Sequence, residues 1–371
     1  MRSKLFLLAA SASLVLASHA AIDAGNGVKI VPNLIAGVDF NDNLFLTPTN
    51  EESETLYKLS PGILIASGDG ALNTTTFSYN EEFQFFSNNS DLNTELALVD
   101  LISRYDDGKM KITLDAWYHE ANQAQRDVRA IASLIKRDLV HGAISDEVVW
   151  SEKSSAKIGF TYDNTDYKPA GYADWNYYEV PLQYFYKVQP KLDASLGFTY
   201  KKNDVDRIGA SSDEYFYNVG VRGEITPKFT GELQIGYTQF NPDSGRDQDG
   251  LGLKANFNFA VSPKTNLTLG AHSQYGYSSS GDSYLDEGVT GGFDAALTAN
   301  FKLNGSAFWS NYDYSISSRK DDYYGAQIAG KYTFNEHAEV KASYTYSKND
   351  SNFAGLSYNN SIIALSATLK Y

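Results

Sequence analysis

The sequence predicts an all-β chain, a transmembrane antiparallel up-and-down β-barrel of about eighteen strands, with about sixteen as the alternative count. Three observations predict it. Apolar and polar residues alternate in segment after segment, the period of strands whose two faces meet different surroundings. Short turns alternate with longer polar loops, as in outer-membrane barrels with short periplasmic turns and longer extracellular loops. The last residues, Ile363 to Tyr371, alternate to the very end and stop on an aromatic.

At the amino terminus Arg2 and Lys4 precede an apolar-and-small run from Leu5 to Ala17, followed by Ser18-His19-Ala20. A positive region, a short apolar core and a small-x-small site make a secretory leader, so cleavage is expected between Ala20 and Ala21. The run is shorter than the about 20 apolar residues a spanning helix needs. Residues 1–20 are assigned to the leader and 21–371 to one barrel domain. The chain has no cysteine, which excludes a lipoprotein anchor and a disulfide framework.

Strands are expected at 31–46, 55–67, 72–86, 92–105, 110–121, 138–150, 156–163, 175–189 and 191–202. They continue at 214–225, 231–241, 250–261, 266–277, 287–301, 303–315, 322–334, 338–347 and 357–371. The segments at 31–46 and 138–150 are the least regular, which is why the lower count stays open. Tight connections carry Gly or Pro where turns need them: Gly68-Asp69-Gly70, Asp106-Asp107-Gly108-Lys109, Gln189-Pro190-Lys191, Thr226-Pro227-Lys228 and Ser262-Pro263-Lys264. Longer polar loops fall at 47–54, 163–174, 203–213, 241–249, 278–286 and 348–355. An even count places both termini on the short-turn side.

The two faces separate strand by strand. Leu192, Ala194, Leu196, Phe198 and Tyr200 oppose Asp193, Ser195, Gly197, Thr199 and Lys201. Leu267, Leu269, Ala271, Tyr275 and Tyr277 oppose Thr268, Gly270, His272 and Gln274. The second face is small and polar, suited to a water-filled lumen and unsuited to a sandwich core. Aromatics gather toward strand ends, where interfacial girdles sit. Glu81, Asp100 and Asp146 break the pattern by sharing parity with apolar neighbours; a bulge or a shifted boundary explains such breaks.

Residues 122–137 stand apart. Val128, Ile131, Leu134 and Ile135 are spaced for one face of a short helix in a long-loop position. Folded into the mouth, such a loop would set Arg126, Arg129, Lys136 and Arg137 at a constriction; packed on the rim, or as a ragged strand start, it would not.

The composition fits this reading. Aromatic residues make up 14% of the chain, with 27 Tyr and 20 Phe, while charged residues make up only 20%. Mean hydropathy is -0.37 because the two strand faces cancel in any window. The net charge of -14 argues against nucleic acid as a partner. The expected surroundings are outer-membrane lipid, lipopolysaccharide and the barrel-assembly machinery, with Ile363, Leu365, Leu369 and Tyr371 as the assembly signal.

Chemistry is sparse. His119, His141, His272 and His337 fall in separate segments without metal-ligand spacing, and no phosphate cradle or nucleophile motif occurs. No catalytic residue, metal or cofactor is expected. What remains is passage, governed by the groups lining the lumen. The candidates are Lys111, Asp115, Lys157, Glu179, Arg222, Glu224, Glu232, Lys254, His272 and Lys341, whose mixed signs predict modest ion selectivity.

The run from Asn33 to Phe45, with Phe40-Asn41-Asp42-Asn43, and Leu59-Ser60-Pro61-Gly62-Ile63 resemble the opening of the outer-membrane beta-barrel porin type 2 family. The segments Thr226 to Tyr237 and Val261 to Gly270 are similar to its later strands. The resemblance covers most of the mature chain and implies an outer-membrane barrel of about eighteen strands. It also implies association with exopolysaccharide or capsule synthesis, and it carries over no catalytic residue. Passive export of exopolysaccharide, served by periplasmic polysaccharide-export components, is therefore the first expectation. A diffusion porin for small solutes is the alternative, and a structural or adhesive barrel with a plugged lumen is the third.

Overall fold

The computed structural model describes residues 21–127, 133–207, 209–244, 247–315 and 317–371. Among them are nineteen strands. A short β1 (Ile22–Gly25) is followed by β2 (Val28–Asn41), β3 (Glu54–Ser67), β4 (Asn73–Phe86), β5 (Thr94–Asp106) and β6 (Met110–Gln123). Then come β7 (Ile135–Val149), β8 (Ser154–Tyr167), β9 (Trp175–Gln189), β10 (Leu192–Val205), β11 (Ser212–Thr226) and β12 (Phe229–Pro242). The chain continues through β13 (Gln248–Ser262), β14 (Thr265–Tyr277), β15 (Ser283–Ala296) and β16 (Phe301–Tyr314). It ends with β17 (Lys320–Asn335), β18 (Ala338–Ser351) and β19 (Tyr358–Lys370).

From β2 onward each strand pairs antiparallel with the next, and β19 pairs back onto β2 from Ile362↔Asn41 to Lys370↔Asn33. This is a closed barrel of eighteen strands with no free edge. No helix among the described residues is long and apolar enough to cross a membrane; the strands do the crossing.

The short connections are built by their own residues. Gly68 sits at φ 82°, where a Cβ would lie 1.8 Å from the Asn73 carbonyl oxygen, so only glycine fits. Asp107 accepts from the backbone N–H groups of Met110 (2.7 Å) and Lys109 (2.9 Å), which hold its carboxyl below the ordinary range. Asn26 and Gly27, both at positive φ, turn β1 back onto β2. That Asn-Gly pair is a strong hairpin signal, and the strand expected to begin at residue 31 begins instead at Val28. Pro61 and Pro181 have no N–H to donate, and the β3–β4 and β8–β9 ladders skip a step beside them.

The expected helix over 122–137 does not form in the described part. Strand β6 runs to Gln123 and β7 resumes at Ile135, while 128–132 lie outside the described residues. Leu134 packs with Leu44, Phe45 and Phe86 at the mouth. The expected leader, residues 1–20 with Ala20, lies outside the described residues; Ala21 is the first described.

Candidate functional site

Successive residues of a strand alternate faces, and residues paired across a ladder share one. Leu196, Leu269 and Ile363 are each more than half exposed on the outer wall, which fixes the parity of their strands and, through the pairing, of their neighbours. On this parity Lys111 and Asp115 (β6), Lys157 (β8), Glu179 (β9), Arg222 and Glu224 (β11), Glu232 (β12), Lys254 (β13), His272 (β14) and Lys341 (β18) lie on the lumen face. Ile363, Leu365, Leu369 and Tyr371 lie on the outer wall of the strand that closes the ring.

The parity breaks resolve individually. Asp100 faces the lumen, opposite Ser78 and Trp117, and takes Leu98 and Ile102 inward with it. Glu81 and Asp146 face outward, Asp146 between Ile112 and Ile158.

In the short-turn half, Arg222 reaches from β11 over the Phe185 ring to Glu147 on β7. It donates through Nη2 and Nη1 at 2.6 and 2.8 Å, and through Nε to Asp193 at 3.1 Å. A guanidinium fork matched to a carboxylate makes this a rigid strut across the bore. Further up, the Trp117 ring stacks on His119 (4.6 Å between centroids) and His141 (5.4 Å), and these histidines meet Asp100 and Asp163 at 3.0 and 2.5 Å. Lys201 pairs with the fully buried Glu214 at 2.6 Å, and His272 with Asp286 at 3.0 Å. Periodicity gave the faces of Arg222, Asp193, Lys201 and His272; their partners, on other strands, carry no signal in the sequence.

The long-loop end is filled from within. Strands β5 and β6 pair only from Asp106↔Lys111 up to Leu98↔His119, and β13 and β14 only from Ser262↔Thr265 up to Leu253↔Ser273. Beyond these points the β6–β7 and β14–β15 hairpins keep their own ladders, to Gln123↔Ile135 and Tyr277↔Ser283. Each hairpin thus separates from the strand before it. The two stand on nearly opposite sides of the ring, yet their tips meet: Asp127 accepts from the Ser279 N–H at 2.5 Å and the Ser279 hydroxyl at 2.9 Å. Both tips therefore lean across the mouth.

Beneath the meeting point lies an apolar cluster of Ile135, Tyr167, Trp175, Phe240 and Tyr277, with Tyr275 stacked on Phe240 at 4.1 Å. Tyr275 and Tyr277, expected on the outer wall, turn inward because their strand leaves β13 at Ser273 and follows the leaning hairpin. Tyr284, Tyr312 and Tyr314 form a second buried cluster, with Tyr323 packed against it.

Of the four expected constriction residues, Arg126 is buried in this closure. Arg137 faces inward on β7 and is buried, sharing its face with its ladder partner Tyr167. Lys136 pairs with Asn122 and takes the face of the hairpin opposite to that of Arg137. Arg129 lies outside the described residues.

Comparisons with known proteins agree on the barrel. A BenF-like porin from Pseudomonas fluorescens Pf-5 superposes with a TM-score of 0.50 at 10% identity, over 92% of this chain and 99% of that one. Pseudomonas aeruginosa OccK2 (OpdF), solved in complex with glucuronate, gives 0.50 at 8% identity over 92% and 98%. The ferric citrate transporter FecA gives 0.44 at 12% identity, covering 87% of this chain but only 60% of its own. The two likenesses at 0.50 show the fold alone. No curated protein sequence matches. A family profile, Putative beta-barrel porin 2, spans residues 23–371, from β1 through the closing strand. With its eighteen-stranded closure and polar lumen, the chain belongs to that family of porin-like outer-membrane barrels.

Proposed function

We propose that the chain is a gated passage for small solutes across the outer membrane, the alternative in the sequence reading, in preference to exopolysaccharide export. The observation that carries this is the mouth, closed by two leaning hairpin tips held together through Asp127 and Ser279 above a lumen of mixed charge. A polymer in transit needs a clear bore along its whole length for as long as it passes. A small solute needs only a transient gap and a hydrated wall to follow. The glucuronate in the OccK2 complex is likewise a small solute.

Planar-bilayer recording with liposome swelling tests the proposal. The expected result is brief, low-conductance openings, with monosaccharides and amino acids entering liposomes and polysaccharide fragments having no effect. A steady large pore blocked by such fragments would return the reading to export. Neither current nor swelling would leave a plugged structural barrel.

A further inference from the structure

Arg126 enters the buried tyrosine cluster from the tip of the opposite hairpin. Its Cζ lies 3.9 Å from the centroid of the Tyr312 ring and 5.2 Å from that of Tyr323. Its polar contacts are long, with Nη1 3.5 Å from the Asp321 carboxylate and 3.4 Å from the Asn349 amide oxygen. Nη2 has no hydrogen-bond partner among the described residues. Asp321 is engaged chiefly by Arg319, whose Nε lies 3.0 Å from both of its oxygens. The guanidinium of Arg126 is thus held mainly by ring faces and by the field of a carboxylate already shared.

We infer that the cage of Tyr284, Tyr312, Tyr323, Asp321 and Asn349 is a binding site for small guanidinium-bearing solutes, occupied in the closed state by the chain's own Arg126. Aromatic faces beside a carboxylate select a flat or diffuse organic cation over an anion or a neutral polar molecule. Arg126 is held there by ring faces and two long polar contacts, so a free guanidinium that can seat closer to the carboxylate competes for the same rings. Displacing Arg126 moves the adjoining Asp127, which then holds the tip only through Ser279 and the Arg319 guanidinium on its backbone carbonyl, and so loosens the closure. The solute that passes would then open its own passage. This rests on the small-solute reading, and its experiment separates the two.

Agmatine is the probe, and N-carbamoylputrescine, in which a urea replaces the guanidinium, is the neutral control. In purified wild-type barrel, agmatine added on the long-loop side is expected to raise open probability while the urea analogue does not. In Arg126→Ala the cage stands empty. Calorimetry is expected to show one saturable agmatine site, with affinity falling about tenfold when Tyr312→Leu is added. Heat-modifiable mobility checks that each variant is folded. If Arg126→Ala misassembles, the wild-type recording decides, and equal responses to agmatine and the urea analogue overturn the inference. No saturable agmatine binding to folded Arg126→Ala also overturns it, even where the channel conducts. Saturable binding without conductance in either protein upholds the cage and removes the pathway reading.

Discussion

Arg222 is the clearest case of one side chain shaping the bore. It neutralises Glu147 and Asp193 at once, and both carboxylates are partly exposed to the lumen. Arg222→Ala leaves two acids facing the lumen without their cation. We expect a rise of about two- to fivefold in the cation-to-anion permeability ratio, the scale of about 1 kcal/mol for a charge pair in water-filled surroundings. Reversal potentials across a KCl gradient measure it, and an unchanged potential would remove the strut from the conduction path. Arg222→Lys is expected to recover only part of the shift, because an ammonium cannot fork onto Glu147. Alternation in the sequence placed Arg222 on the lumen face. It could not supply Glu147, four strands away in the ring, because period-2 reasoning gives a face and not the chord across a curved wall.

Among the elements, the closing strand was the most legible. Its outward stripe follows directly from alternation, and the ladder to β2 is among the shortest in the ring, ending at Leu369↔Leu34 and Lys370↔Asn33, with the Tyr371 N–H donating to the Pro32 carbonyl at 3.0 Å. Deleting Leu369 to Tyr371 removes the periplasmic end of that closure together with the terminal aromatic. Tyr371→Asp keeps the backbone pairing but sets a charge at the lipid boundary. Both are expected to leave degraded chain in the periplasm, whereas Tyr371→Phe assembles. Normal heat-modifiable barrel in membranes from the Asp variant would dismiss the terminal aromatic as an assembly signal. Strands β13 to β15 were less legible for a physical reason. Tyr275 and Tyr277 alternate as an outer-wall pair should, and nothing local records that the hairpin leaves β13 at Ser273 and folds inward.

In the whole molecule, the closure joins residues 152 apart in sequence, Asp127 and Ser279, on hairpins from nearly opposite sides of the barrel. Such a contact has no sequence signature; only the cationic character of the 122–137 segment hinted that this loop would enter the mouth. The contact implies that the two hairpins act as paired leaves, each freed from the strand before it and fastened to the other. Their incomplete ladders leave the tips cheaper to move than the wall, because fewer backbone hydrogen bonds must break. The chain has no native cysteine, so Asp127→Cys combined with Ser279→Cys gives a single addressable pair. Asp127→Cys loses both hydrogen bonds at the meeting point and Ser279→Cys loses the one from the hydroxyl, so each single variant is expected to open more often than wild type. The double variant, bridged by oxidation or by a short bis-thiol cross-linker, is expected to lose nearly all current. Reductant should return the disulfide-bridged form to the behaviour of the single variants. Bridged protein that conducts like the reduced form would show that solutes do not pass between the leaves, and would move the pathway elsewhere in the barrel.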